Sequence, residues 1–303
     1  MPVPPAFDLQ GHRGARGLFP ENTLPGFLGA LAVGVTSLEL DVAVTREGVP
    51  VVVHDPALDP DLTRDADGAW LEGTGPLVIG LTLDDLHRFD VGRPRPNGAT
   101  ARTFPRQQPC DGARVPTLAA VFAATAAAGV RIHAELKTDP RNPGLTMPPA
   151  RMAEMVLAAA RAVGAGSRLA VRSFDWRGLA WLRRHRPALP LCWLTDAETE
   201  ADAALWWDLP GVAGSTPRAV AAAAAAGDGV AWAPVWAPDF VGLSAEQVAE
   251  ANALGLRVMP WTVNAPADMA RLIGWGVAGL CTDRPDLAHR VMRDAGLDLP
   301  VPA

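Results

Sequence analysis

Short apolar runs alternate with helix-like runs along almost the whole chain, and this alternation constrains the fold more than any other feature. The strand-like runs are Ala6–Gln10, Ser37–Val44, Val49–Val53, Arg131–Leu136, Arg168–Ser173, Leu189–Leu194, Val230–Val235, Leu256–Val263 and Gly279–Thr282. Helix-like stretches lie between most of them: Thr23–Val33, Leu118–Ala128, Pro149–Val163, Trp176–His185, Ala197–Leu205, Ala219–Ala226, Ala245–Leu254, Ala267–Ile273 and Pro285–Asp294. Strands joined through helices run the same way and pair in parallel, with the helices as crossovers. Eight or nine such strands in about 250 residues plus an insertion predict an α/β fold, a TIM (β/α)8 barrel. A doubly wound sheet is the structural alternative. It usually carries a Gly-rich dinucleotide loop, and Gly11, Gly14 and Gly17, spaced three apart, do not match G-x-G-x-x-G.

Helix punctuation agrees with this reading. Asn22 is placed to cap the first helix, with Gly34 just past its end. Gly129, Gly164, Gly227, Gly255 and Gly276 recur where helix-like runs give way to strands. The segment 56–116 breaks the rhythm. It is rich in Asp, Pro, Gly and Arg, with one short helical stretch, Leu83–Phe89. It reads as an insertion after the second barrel strand region, hung on the strand ending at His54, where rim insertions shape substrate access. The chain, 1–303, is expected to be a single domain with this insertion within it.

Composition excludes some functions. Hydrophobic residues make up 49% of the chain, enough for a large core. A net charge of −6 and a pI near 5.5 oppose nucleic-acid binding, which demands a basic face. A small anion remains a possible substrate, because charge within a pocket can oppose the global sign. Cys110, Cys192 and Cys281 are far apart, odd in number and without zinc spacing, so three reduced thiols are expected. Met1-Pro2-Val3-Pro4-Pro5 lacks the features of a signal peptide, and no apolar run is long enough to span a bilayer. The expectation is a soluble cytoplasmic protein without stable membrane insertion; oligomeric state is left open.

Strand alternation sorts the charged residues. In Ser37-Leu38-Glu39-Leu40-Asp41-Val42 the apolar residues share one face, and Glu39 and Asp41 the other. In the run from Arg131 to Lys137, Ile132, Ala134 and Leu136 oppose His133, Glu135 and Lys137. In a barrel the apolar face lies under the helices, so Glu39, Asp41 and Glu135 point inward near the top. Burying unpaired carboxylates there costs several kcal/mol each, on the order of ion-burial penalties, and a cation would remove that cost. Three carboxylates without paired histidines favour a hard divalent ion, Mg²⁺ or Ca²⁺, over zinc. The alternative is that Arg13 and Lys137 neutralise Glu39 and Asp41 without metal. His12 and His54 both fall at strand ends beside these carboxylates, where two histidines can serve as general acid and general base. Arg13 and Lys137 offer a planar fork and a point charge to phosphate oxygens.

These residues fall in a series of motifs: Gly11-His12-Arg13-Gly14, Pro20-Glu21-Asn22-Thr23, Glu39-Leu40-Asp41-Val42, His54-Asp55, Glu135-Leu136-Lys137, Trp261-Thr262-Val263-Asn264 and Thr282-Asp283-Arg284-Pro285. The ordered series resembles that of the glycerophosphodiester phosphodiesterases and spans nearly the whole chain. The resemblance implies a TIM-barrel enzyme that cleaves glycerophosphodiesters to glycerol 3-phosphate and an alcohol. It implies His12 and His54 as the acid–base pair and Glu39, Asp41 and Glu135 as ligands of a divalent cation. Arg13 and Lys137 are the phosphate contacts it implies, and residues 56–116 are its characteristic insertion. The nucleophile it implies is either the glycerol hydroxyl beside the phosphate, giving a cyclic intermediate, or water. Two other functions stay open: a phosphodiesterase acting on lysophospholipids, and a non-catalytic barrel that binds a phosphate ligand.

Other residues carry blander expectations. His87, His185 and His289 read as surface residues. His133 is expected either to hydrogen-bond a metal ligand or to be a satisfied interior histidine. Asp55 is read as a turn former. Trp261 is expected to line the pocket mouth with Trp236 and to pack on the glycerol or alcohol moiety. Trp206 and Trp207 are adjacent and cannot share one helix face, so one of them is expected to be partly exposed.

Overall fold

A computed structural model of the chain describes residues 7–208, 214–225 and 233–303. The strands are β1 (Asp8–Gly11), β2 (Ser37–Val44), β3 (Pro50–Val52), β4 (Arg131–Leu136), β5 (Leu169–Ser173), β6 (Leu191–Thr195), β7 (Val235–Pro238), β8 (Arg257–Val258) and β9 (Gly279–Thr282). All but β3 pair in parallel, in the order β8-β7-β6-β5-β4-β2-β1-β9. Backbone bonds from Ala278 N to Val258 O, Cys281 N to Pro260 O and Val263 N to Cys281 O draw the two ends together. The result is the expected (β/α)8 barrel.

Where the elements differ from expectation, the causes are local. The run Val49–Val53 is not a barrel strand. Its residues Pro50–Val52 pair antiparallel with the end of β2, Val42 opposite Val52. Only five residues, 45–49, separate the two, too few for a crossover, so the chain doubles back as a hairpin. The run Leu256–Val263 keeps only Arg257–Val258 as regular strand, because Pro260 has no N–H for a ladder. Single bonds carry the pairing on, from Met259 N to Trp236 O and from Trp261 N to Pro238 O. The seventh strand begins at Val235, the end of the expected run Val230–Val235; residues 230–232 of that run, and Gly227 and Ala226, lie outside the described residues.

Helices begin where side chains cap them. Thr23, not Asn22, caps helix Leu24–Val33: its side chain accepts from Gly26 N, and Pro25 presets the first turn. Asn22 has φ of 54° and turns its amide toward β2. Asp175, Asp196 and Ser244 likewise cap the helices starting at Trp176, Ala197 and Ala245. The helices cover the outward face of the barrel, where Leu38, Leu40, Val42, Ile132, Ala134, Val171 and Trp193 pack with Phe27, Phe122, Val156 and Leu179. Trp206 and Trp207 are both buried, contrary to the expectation that one would be partly exposed. The helix Ala203–Trp206 stops at Trp206, so Trp207 escapes its face and stacks on Trp176 at 4.4 Å.

Residues 56–116 contain more structure than the single expected helix. Besides Leu83–Leu86 there are a 3₁₀ turn, Val78–Gly80, and a helix, Ala99–Thr103. The segment has its own small core of Leu58, Val78, Leu86 and Val115, which shares Ala43 and Val51 with the hairpin. It also leans on the loop after β1, with Gln108 N bonded to Leu18 O and Gln107 Nε2 to Arg16 O.

Candidate active site

The loop after β1 is shaped by glycine. A Cβ on Gly11 would sit 2.1 Å from the Gly14 carbonyl oxygen, and Gly14 has φ of 93°. The tight turn between them holds Arg13 at φ of 48°, a left-handed conformation that arginine adopts only under constraint. The constraint is visible. Arg13 N donates to Glu39 Oε2 at 3.0 Å, Nη1 donates to Glu21 Oε1 at 2.7 Å, and Nε lies 3.1 Å from Asp41 Oδ2. Arg16 braces Glu21 from the other side at 2.5 Å.

The inward carboxylates of β2 and β4 converge as alternation requires. Glu39, Asp41 and Glu135 are buried, and one oxygen from each lies within 4.8 Å of the others. Lys137, just past β4, donates to Glu135 Oε1 at 2.8 Å and lies 3.8 Å from Asp41 Oδ1. The neighbours set the charges. Burial would raise Asp41, but Arg13, then His54 and Lys137, hold its carboxyl far below the usual range. Glu39 is raised, by burial first and then by Asp41, because Arg13 and Lys137 compensate the other carboxylates more than this one. Lys137 is held above its ordinary value by Glu135 and Asp41, which outweigh its burial. A hard cation fits this donor set: three closely spaced carboxylates, one of them resisting ionisation without added positive charge.

The two histidines reach the same cavity by different routes. His12 follows β1 directly. His54 arrives through the hairpin, which turns the chain back so that Val53 N bonds to Asp41 O. Each ring is fixed at Nδ1 by a carboxylate, Asp283 at 2.6 Å for His12 and Asp55 at 2.7 Å for His54. Asp55 is therefore more than a turn former. His54 Nε2 faces Lys137 Nζ at 3.1 Å, and His12 Nε2 lies 3.9 Å from Glu39 Oε2. Asp283 is itself pinned. Asn264 Nδ2 donates to its Oδ2 at 2.7 Å, while Asn264 Oδ1 accepts from Asp283 N at 2.9 Å and from Thr282 Oγ1 at 3.1 Å. Burial would raise Asp283, but His12, Arg16 and Asn264 keep it below its ordinary value.

A cavity of about 390 Å³ unites these groups at the C-terminal mouth. His12, Arg13, Glu39, Asp41, His54, Glu135, Lys137 and Trp261 all line it. Trp261 packs edge-on against Phe174 at 5.4 Å and donates Nε1–H to Ala237 O. Trp236 does not join it at the mouth; it is buried in the core with Nε1–H on Thr195 Oγ1. His133 hydrogen-bonds no metal ligand and is not a satisfied interior group. Among the described residues both ring nitrogens lack a hydrogen-bond partner, Asp8 Oδ2 lies 3.8 Å from Nε2, and burial pushes the pKa down to about 3. His87 and His185 are exposed, but His289 is half-buried with Nε2 against Gly34 O.

Alternation found the carboxylates, but several partners escaped it. Glu21, Asn264 and Asp283 lie in motifs already noted, without a role deduced for them, and Asn22 was read only as a helix cap. Arg172 escaped entirely, although the alternation of β5 places it inward, and it lines the cavity at 2% exposure.

Residues 12–287 match the glycerophosphoryl diester phosphodiesterase family. The chain belongs to this family. A Bacillus subtilis glycerophosphodiester phosphodiesterase is 30% identical, over 93% of this chain and 85% of its own length. A solved structure from Silicibacter pomeroyi DSS-3, assigned to the same activity, is 38% identical with a TM-score of 0.87, covering 98% of this chain and 96% of that one. The Oleispira antarctica phosphodiesterase solved with the product sn-glycerol-3-phosphate is 20% identical and shares the fold, with a TM-score of 0.68 over 94% of this chain and 96% of that one. Family membership makes this chain a phosphoric diester hydrolase. No helix of the described residues is long and apolar enough to cross a membrane.

Proposed function

We propose that the chain hydrolyses glycerophosphodiesters to glycerol 3-phosphate and an alcohol, using a divalent cation and the His12–His54 pair. The observation that carries this reading is the convergence of two carboxylate-anchored histidines, three close carboxylates and the basic side chains of Arg13 and Lys137 on one cavity. The reading takes 1–303 as one catalytic unit with 56–116 as its insertion. It places the enzyme in the cytoplasm, a reading supported by three free thiols.

Glu39, Asp41 and Glu135 would hold the cation, Mg²⁺ or Ca²⁺, which when bound supplies charge to a phosphoryl oxygen. Arg13 and Lys137 orient the phosphodiester, and Trp261 with Phe174 walls the organic part of the substrate. Hydrogen bonding distinguishes the histidines. A charged Lys137 only donates, so His54 Nε2 facing it presents a lone pair, and its proton sits on Nδ1 against Asp55. His54 is therefore the base that takes the proton of the attacking hydroxyl. His12 donates through Nε2 to the leaving oxygen as its bond to phosphorus breaks, with Asp283 holding Nδ1–H. If the nucleophile is the neighbouring glycerol hydroxyl, the roles reverse while water opens the ring. If it is water, one step completes the reaction. Detection of cyclic glycerophosphate during turnover by phosphorus NMR separates the routes.

The test is hydrolysis of a glycerophosphodiester panel after exhaustive chelation and then with metal added back. The expected result is loss on chelation and recovery with Mg²⁺ or Ca²⁺. Full activity without metal would remove the cation from the reaction, and no turnover of any diester would leave a binding barrel.

A further inference from the structure

A buried arginine of the cavity has no part in this scheme. Arg172 extends from β5 and is 2% exposed. Strand register places Asp41, Glu135, Arg172 and Cys192 side by side in one layer of the barrel. Arg172 thus stands beside Glu135 of the acidic cluster, with Asp41 one strand further on.

Its bonding is poor for a buried guanidinium. Nη1 donates to Gln10 Oε1 at 3.3 Å, Nε has no partner, and a further contact goes to the sulfur of Cys281. Among the described residues it forms no ion pair, whereas Arg13 and Lys137 both do. A buried cation without its own carboxylate is costly unless a surrounding field offsets it. Here the field comes from Glu39 and Glu135, and it extends over the space in which their oxygens converge.

We propose that Arg172 is a fixed competitor of the divalent cation: its charge limits the affinity of the Glu39–Asp41–Glu135 site and keeps the ion exchangeable. The inference rests on those three residues being the cation's ligands. The guanidinium compensates part of their charge when no ion is bound and repels the ion when one is. A residue that only supported the barrel would act in the opposite direction, because loosening the scaffold weakens ion binding.

Calorimetric titration with Mg²⁺ and Ca²⁺ at pH 8 tests the idea in four forms of the full chain: wild type, Arg172→Gln, Arg172→Lys and Gln10→Glu. Arg172→Gln should bind more tightly, by about tenfold, as expected for removing a like charge that lines the same cavity. Arg172→Lys keeps the charge and should stay within about threefold of wild type. Gln10→Glu, nearly isosteric, pairs the guanidinium and should also tighten binding. Equal or weaker binding by folded Arg172→Gln overturns the proposal. If that variant does not fold, unchanged affinity in Gln10→Glu overturns it. A wild type that binds neither ion overturns the metal reading itself, which is a distinct result.

Discussion

Replacing Asp283 by Asn removes one charge and almost no volume, and its effect can be worked from the network around it. Asp283 Oδ1 holds His12 Nδ1 at 2.6 Å, and Oδ2 accepts from Asn264 Nδ2 at 2.7 Å. Asn264 cannot rotate in response, because its Oδ1 already accepts from Asp283 N and Thr282 Oγ1. An asparagine at 283 has one acceptor for two donors. Whichever way its amide faces, a donor meets a donor, unless His12 moves its proton from Nδ1 to Nε2. A buried charge-assisted hydrogen bond is worth about 1.5–3 kcal/mol. Lost in the transition state, that is a fall in kcat of roughly 10- to 150-fold at about 1.4 kcal/mol per tenfold. KM should change little, since Asp283 is not among the residues lining the cavity. The assay is steady-state hydrolysis of glycerophosphocholine, with circular dichroism to confirm folding. A second substrate, a p-nitrophenyl ester of glycerol phosphate, adds a sharper test. Its leaving group needs no proton, so the defect should shrink if His12 is the acid. A kcat within about threefold of wild type, at unchanged melting temperature, would refute the orienting role of Asp283. Equal losses on both substrates would refute the acid assignment.

Two further results are expected. His12→Ala and His54→Ala should each lower kcat by about 10²-fold or more, the scale of general acid–base catalysis, while the far-ultraviolet spectrum stays native; a near-normal rate in either variant removes that histidine from the mechanism. His133 should make folding pH-dependent. Its pKa is about 3 in the folded chain against 6.5 for the free side chain, so only the unfolded chain binds a proton between those values. Stability contributed by keeping it neutral is present above about pH 6.5 and falls as pH drops, by up to about 1.4 kcal/mol per unit. Denaturant titrations of His133→Gln should show a shallower decline between pH 6.5 and 4, and an identical slope would argue that another group carries it.

What alternation and spacing can read is the strand-borne half of the site. Glu39, Asp41 and Glu135 follow from a period of two on β2 and β4, because a strand with one face under helices must send its polar residues inward. His54 was placed at the right rim on a wrong premise. It is not the end of a barrel strand but the return of a hairpin, and only pairing geometry, Val42 opposite Val52, reveals this. The cap at Thr23 was misassigned to Asn22 for a similar reason: both are good caps, and what decides is that Asn22 is needed to donate to Asp41, nineteen residues away.

The least legible residues act through partners far along the chain. Asp283 meets His12 across 271 positions, and Arg172 meets Gln10 across 162, both because barrel closure sets the last strand beside the first and the fifth strand across from it. No local pattern encodes such a meeting. Yet the sign of the charge at 172 was open to inference from the same rule that found the carboxylates. An inward arginine one strand beyond Glu135 has to be neutralised by something, and the nearest negative charge is the acidic cluster itself. On the proposed reading these three carboxylates, already faced by Arg13, Lys137 and Arg172, would draw a further cation from solution, and the charge at 172 would set part of its affinity.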